Sequence, residues 1–176
     1  DMAETIEGYS LHENFAQLIK IIVEETPEVK VYVNSPNGRT LPSCEKALKA
    51  EGIDLDKVIF TTYPDGSNWT RDYGPDIMVD DNGNMILAHT RFNMYGQSKP
   101  EGDLSTKCYN FGAHLALELG CSDHRNSNVI SEGGDKEFNG SGVLIALRDT
   151  EVNKRNPNMS TEDVENELKR LFNLKK

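Results

Sequence analysis

Between residues 11 and 25 the apolar positions fall at Leu11, Phe15, Leu18, Ile19, Ile22 and Val23. This spacing predicts an amphipathic helix, and Pro27 stops it. Residues 29–33 alternate apolar and polar around Lys30 and Tyr32, which predicts a short strand. The run Ser35-Pro-Asn-Gly38 carries turn chemistry. Residues 41–51 predict a second helix, with Ser43 as its N-cap and Gly52 closing it. Residues 58–63 are β-branched and aromatic and predict a strand. Residues 77–79 and 85–88 flank Asp80-Asp-Asn-Gly-Asn84, an Asn-Gly hairpin signal. A third helix is expected over 104–119, ending at Gly120. Strands are expected at 127–130 and 143–147, with a tight turn at 139–142. The last helix, 160–172, has Ser160 or Thr161 as its cap and acids in its first turn. Its apolar face is Val164, Leu168, Leu171 and Phe172.

Helices and strands mix along the whole chain, so the expected class is α/β. An organisation of strand, acidic glycine turn, hairpin and helix recurs after residues 58 and 127 without a strict sequence repeat. The 176 residues suffice for one domain or part of a larger one, and no second domain is expected. Every earlier helix is followed by a strand, but the last is followed only by Leu174-Lys-Lys176. Its apolar stripe then has no successor to cover it, which predicts the N-terminal portion of a longer polypeptide. A bare stripe and an open sheet edge would favour a homo-oligomer. Asp1 is not a natural start, so the compartment stays open: cytoplasmic first, secreted or periplasmic as the alternative.

The net charge of −10 changes the list of partners. Phosphate contacts need clustered Lys and Arg, so nucleic acid is not expected as a partner. An acidic surface instead draws in small cations, although it can also serve solubility alone. Cys44, Cys108 and Cys121 are odd in number and lack paired spacing, and His12, His89, His114 and His124 are scattered. Neither a disulfide framework nor a metal site is expected. No apolar run reaches membrane-spanning length.

Two runs carry the candidate chemistry: Trp69-Thr-Arg-Asp-Tyr-Gly-Pro75 and Glu132-Gly-Gly-Asp135. Each sets acids beside glycine, aromatic or proline residues, where a tight turn can hold a carboxylate facing a cleft. Two fixed carboxylates suit a planar cation such as a guanidinium, which a carboxylate binds through a forked pair of hydrogen bonds. Asp72 reads as that carboxylate, or as a turn aspartate bonded to its own backbone. Trp69 reads as a pocket wall that stacks on the cation, or as core. Arg71 either pairs with an acid and shapes the loop or is solvated. Glu132 reads as an orienter of a general acid–base histidine, or as a solvated acid at a bulge. Gly133 and Gly134 permit close backbone approach or a positive φ. Asn93, in the run Arg91-Phe-Asn-Met-Tyr-Gly96, lines a pocket rim or an ordinary strand exit. Cys44, at a helix start, is read as packed core, and none of the three cysteines is read as a nucleophile.

These runs, together with Glu132-Gly-Gly-Asp-Lys-Glu-Phe-Asn-Gly-Ser-Gly142 and Arg155-Asn-Pro-Asn-Met-Ser160, resemble the agmatine deiminase and Porphyromonas-type peptidylarginine deiminase family. The resemblance runs from about residue 12 to the end, in order and with similar spacing. It implies a five-bladed α/β propeller, or pentein, built of ββαβ modules. Of these, two to two and a half would lie in this chain. It implies a cysteine that attacks the guanidinium carbon, a histidine that handles protons, and a ureido product with release of ammonia. No cofactor is implied. By motif, Asp72 would clamp the guanidinium, Trp69 would wall the pocket, Glu132 would orient the histidine, and Asn93 would line the entrance. Asp72 and Glu132 are thus the expected catalytic acids. Asp72, Trp69, Arg71, Asn93, Gly133 and Gly134 are the residues expected to meet a small guanidino substrate, agmatine or an arginine side chain. The family's histidine motif and nucleophilic cysteine have no match in residues 1–176. The leading expectation is therefore the N-terminal part of a guanidine deiminase, inactive alone. The alternative is a guanidino-binding or interaction module without turnover.

Overall fold

The fold is taken from a computed structural model, which describes residues 5–6, 9–64, 67, 69–99, 102–121, 123–148 and 154–175. The chain divides into two compact units, Asp1–Pro64 and Asp65–Lys176.

In the first unit, β1 (Thr5–Ile6) and β2 (Tyr9–Ser10) pair antiparallel and lead into α1 (Leu11–Glu25). Ser10 and Glu13 form a capping box at the start of α1, each side chain accepting from the other's backbone N–H. β3 (Val31–Asn34) and β4 (Val58–Thr61) are parallel, Val31 opposite Val58 and Asn34 opposite Thr61. Parallel neighbours need a crossover, and α2 (Leu41–Ala50) supplies it. Ala16 and Ile19 of α1 form a core with Leu48, Ile53 and Val58. β3 extends to a polar residue because the Asn34 side chain has partners. Its Oδ1 accepts from the Tyr63 amide and the Thr61 hydroxyl, both at 2.9 Å. α2 starts at Leu41, as its pattern suggested, but Ser43 is not its cap. Thr40 is its N-cap, Pro42 lies in its first turn, and Ser43 donates to the Thr40 carbonyl at 2.8 Å instead of capping.

The second unit begins with α3 (Thr70–Tyr73), followed by β5 (Asp76–Val79) and β6 (Met85–Arg91). These strands pair antiparallel, Asp76 opposite Ala88. The hairpin turn forms as expected: Asp80 Oδ1 accepts from the Asn82 and Asn84 amides, and Gly83 takes φ +83°. α4 (Asp103–Glu118) then crosses to β7 (Asp123–Ile130), which runs parallel to β6. β7 is twice the expected length, because the polar run Asp123-His-Arg-Asn126 hides its first half while pairing with Ile86 to His89. A second hairpin follows, β8 (Lys136–Phe138) with β9 (Leu144–Ala146).

α5 (Thr161–Phe172) closes the unit, with Ser160 as N-cap in a second capping box. Its stripe is not bare. Val164, Leu168, Leu171 and Phe172 are buried with Ala88 and Val129, and Met78, Phe138 and Leu144 pack against them. The self-association expected from that stripe therefore loses its basis: burying these side chains against the sheet removes the apolar surface that would drive it. Among the described residues, no helix is long and apolar enough to cross a membrane.

β6 and β7 are parallel, so the segments after Arg91 and Ile130 leave from the same edge of the sheet. β5 runs the other way, so α3, just before it, reaches that edge too. The carboxyl ends of parallel strands are where α/β folds build ligand sites.

Candidate active site

At this edge the two acidic runs meet. Asp72 lies on α3, and both its carboxylate oxygens are held: Oδ2 accepts from the Tyr95 hydroxyl at 2.5 Å and Oδ1 from the Gly134 amide at 2.9 Å. The contact demands glycine. A Cβ on Gly133 would lie 1.8 Å from the Arg71 carbonyl oxygen, and one on Gly134 would lie 2.6 Å from Asp72 Oδ1. Neither glycine has a positive φ, so close approach is the reason for both.

Arg71 supports the same junction. Its guanidinium donates to the Lys136 carbonyl at 3.1 Å and lies 3.4 Å from the Glu137 carboxylate. This pair is exposed, so Arg71 meets an acid and solvent at once. Tyr73 anchors α3 from below: its ring is buried edge-on to Phe111, its hydroxyl donates to the Ser67 carbonyl, and its own carbonyl meets His89 Nε2 at 2.7 Å. Trp69 is 59% exposed, so the core reading falls.

The segment after β6 delivers Tyr95. Asn93 is buried, and its side-chain oxygen accepts from the Gly96 amide at 2.9 Å. Met94, Tyr95 and Gly96 then take φ of 53°, 58° and 82°. Two consecutive non-glycine residues in the left-handed region are rare. Asn93 thus acts inside the loop as the bracket of this turn. The phenol of Tyr95 is pushed above its ordinary pKa, first by burial, then by donating to Asp72, then by the charges of Asp72 and Glu132.

Glu132 follows β7 and is buried. Arg155 holds it: Nε donates to Oε1 at 2.7 Å, and a terminal guanidinium nitrogen lies 2.5 Å from the same oxygen. Asn156 fixes Arg155 in place by bonding the Ile130 amide at 2.9 Å and its carbonyl at 2.8 Å. The Glu132 pKa is raised by burial, which outweighs the Arg155 charge and hydrogen bond. The charges of Asp135 and Asp72 push it the same way as burial.

The arrangement holds two carboxylates in one cluster, one gripped by neutral donors and one by a guanidinium. It supplies no activated thiol. Burial raises the Cys44 and Cys121 thiols above their ordinary range, and Cys108 is fully buried. Tyr95 and Arg155 lay within runs singled out in the sequence but carried no assigned role there. The only local signal for Tyr95 was the aromatic-Asn-x-aromatic-Gly pattern.

Solved structures share this fold. Agmatine deiminase of Enterococcus faecalis superposes with a TM-score of 0.76 at 19% identity, over 93% of this chain and 42% of that one. A substrate-bound agmatine deiminase of C. jejuni gives 0.67 at 25% identity, over 93% and 46%. In sequence, agmatine deiminase of Stutzerimonas stutzeri is 30% identical over 128 residues, 70% of this chain and 34% of its own length. Agmatine deiminase of Pseudomonas fluorescens is 29% identical over 118 residues, 64% and 31%. The chain belongs to the Porphyromonas-type peptidyl-arginine deiminase family, matching it over residues 4–176. It spans about a third of the length of these curated relatives.

Proposed function

We propose that this chain is the N-terminal part of a guanidine deiminase that hydrolyses agmatine or an arginine side chain to a ureido product and ammonia. In this reading Asp72 takes the guanidino group through a forked pair of hydrogen bonds, and Trp69, exposed beside it, stacks on the cation. Glu132 orients a histidine that comes from outside residues 1–176, as does the nucleophilic cysteine. The thiolate attacks the guanidinium carbon, the C–N bond to the leaving nitrogen breaks, and ammonia departs with the proton the histidine supplies. Water then adds to the same carbon, gives a proton back to the histidine and displaces the thiol. The run β5-β6-α4-β7 is, in this reading, one ββαβ module of an incomplete propeller.

One observation carries the proposal: the Gly134 amide sits 2.9 Å from Asp72 Oδ1, so two runs distant in sequence form one acidic cluster. The raised Cys44 and Cys121 thiols, and buried Cys108, support placing the nucleophile elsewhere. The same fact supports the second reading, binding of a guanidino ligand without turnover.

The test is ammonia release from agmatine and from a peptidylarginine substrate. This chain alone is expected to show none, since losing nucleophile and base together leaves only weak effects of binding. Turnover at enzyme-like rates by the isolated chain would overturn the reading.

A further inference from the structure

Both oxygens of Asp72 are already engaged, which at first sight leaves the carboxylate poorly placed to bind anything. The count of acceptor directions says otherwise. An ionised carboxylate offers about four lone-pair directions, two on each oxygen. The Tyr95 hydroxyl takes one on Oδ2 and the Gly134 amide takes one on Oδ1. One direction per oxygen remains, the number a planar guanidinium needs to form its fork.

The two anchors differ in how they are built. The Gly134 amide is backbone, set by the close approach of Gly133 to Arg71. Tyr95 is a side chain delivered by effort: its backbone lies at φ 58°, next to Met94 at 53°, in a turn that Asn93 brackets. Left-handed backbone disfavours L side chains, and such strain persists where the surroundings over-determine it. Here it aims a phenol at a carboxylate. The ring also packs edge-on to Phe92, which is buried, so its position is held from behind.

We propose that Tyr95 is a positioning residue for guanidino-group binding. It fixes the rotation of the Asp72 carboxylate so that one acceptor direction on each oxygen stays open to the ligand. This rests on the reading of Asp72 as the guanidinium clamp. Tyr95 does not touch the ligand in this scheme, so its whole effect runs through Asp72. Phenylalanine at 95 keeps the ring and its packing and removes only the hydroxyl.

The chain, labelled with nitrogen-15, is titrated with agmatine and followed by NMR, in the wild type, Tyr95→Phe, Asp72→Asn and the double variant. The wild type should bind in roughly the millimolar range, and Tyr95→Phe should weaken binding about tenfold with an unchanged melting temperature. In the Asp72→Asn background the same change should cost nothing further, which a purely structural contribution would not reproduce. Equal affinity of wild type and Tyr95→Phe overturns the proposal and leaves the guanidino reading intact. So does an equal loss in both backgrounds. No binding by the wild type overturns the guanidino reading, and the role of Tyr95 with it. Should Tyr95→Phe fail to fold, the phenol serves as reporter by its ultraviolet titration. In Asp72→Asn its ionisation should fall toward the ordinary tyrosine range, and an unchanged ionisation counts against the contact.

Discussion

Gly133 and Arg71 approach so closely that a single methyl group at position 133 would lie 1.8 Å from the Arg71 carbonyl oxygen. Backbone meets backbone there, and neither side has a flexible end that could yield. This approach puts the Gly134 amide within reach of Asp72, so the acidic cluster depends on it.

Gly133→Ala should therefore destabilise the second unit by about 1–3 kcal/mol, the range expected for overpacking a tight contact. Gly134→Ala meets a side-chain oxygen instead, which can rotate away, so its cost to stability should be smaller. Urea unfolding of both variants checks the order. Equal losses would mean that the Gly133–Arg71 junction yields as easily as the Asp72 side chain.

Arg155→Met removes the partner of a buried carboxylate while keeping most of the aliphatic bulk. The expected cost at neutral pH is about 1–3 kcal/mol, as for a lost hydrogen bond to a charged group. The sign with pH follows from the raised pKa of Glu132. A protonated Glu132 no longer needs a cation, so the difference between wild type and variant should shrink as the pH falls through that pKa. Unfolding curves at several pH values measure this. A difference that grows with acid would contradict the pairing.

His89 predicts a second pH dependence. Burial lowers its imidazole from 6.5 to about 4, aided by the charges of His124 and Lys136 and opposed by the Tyr73 carbonyl. Below about 6.5 the unfolded chain takes up a proton that the folded chain refuses. Stability is thus complete above that pH and is lost on acidification toward about 4, by about 1.4 kcal/mol per pH unit. His89→Gln, which can still donate to the Tyr73 carbonyl, should flatten this slope. An unchanged slope would assign the acid sensitivity to other groups.

Much of this architecture is legible in the residues themselves, and the exceptions share a cause. The stripe of Val164, Leu168, Leu171 and Phe172 predicts α5, and Asn82-Gly83 predicts the β5–β6 hairpin, because each signal is local. The first half of β7 escapes pattern reading because Asp123, His124 and Arg125 are half-exposed polar residues held in the strand by pairing with β6, with Arg125 bonded to Asp123. That α5 is covered could not be read from its own sequence, since the strands that bury it lie far back in the chain. At the site, Asp72 and Glu132 stand out by motif. Their partners Tyr95 and Arg155 do not, because each lies 23 residues away and reaches its acid only through the fold.

The decisive measurement is whether a guanidino group binds at Asp72. The Gly134 amide, bonded to Asp72 Oδ1, is a built-in reporter of that carboxylate. Its NMR signal should move on adding agmatine and stay still on adding putrescine, the same chain with an amine in place of the guanidino group. The movement should vanish in Asp72→Asn. A Gly134 signal indifferent to agmatine, or one that moves equally in Asp72→Asn, would contradict the assignment of Asp72 as the clamp.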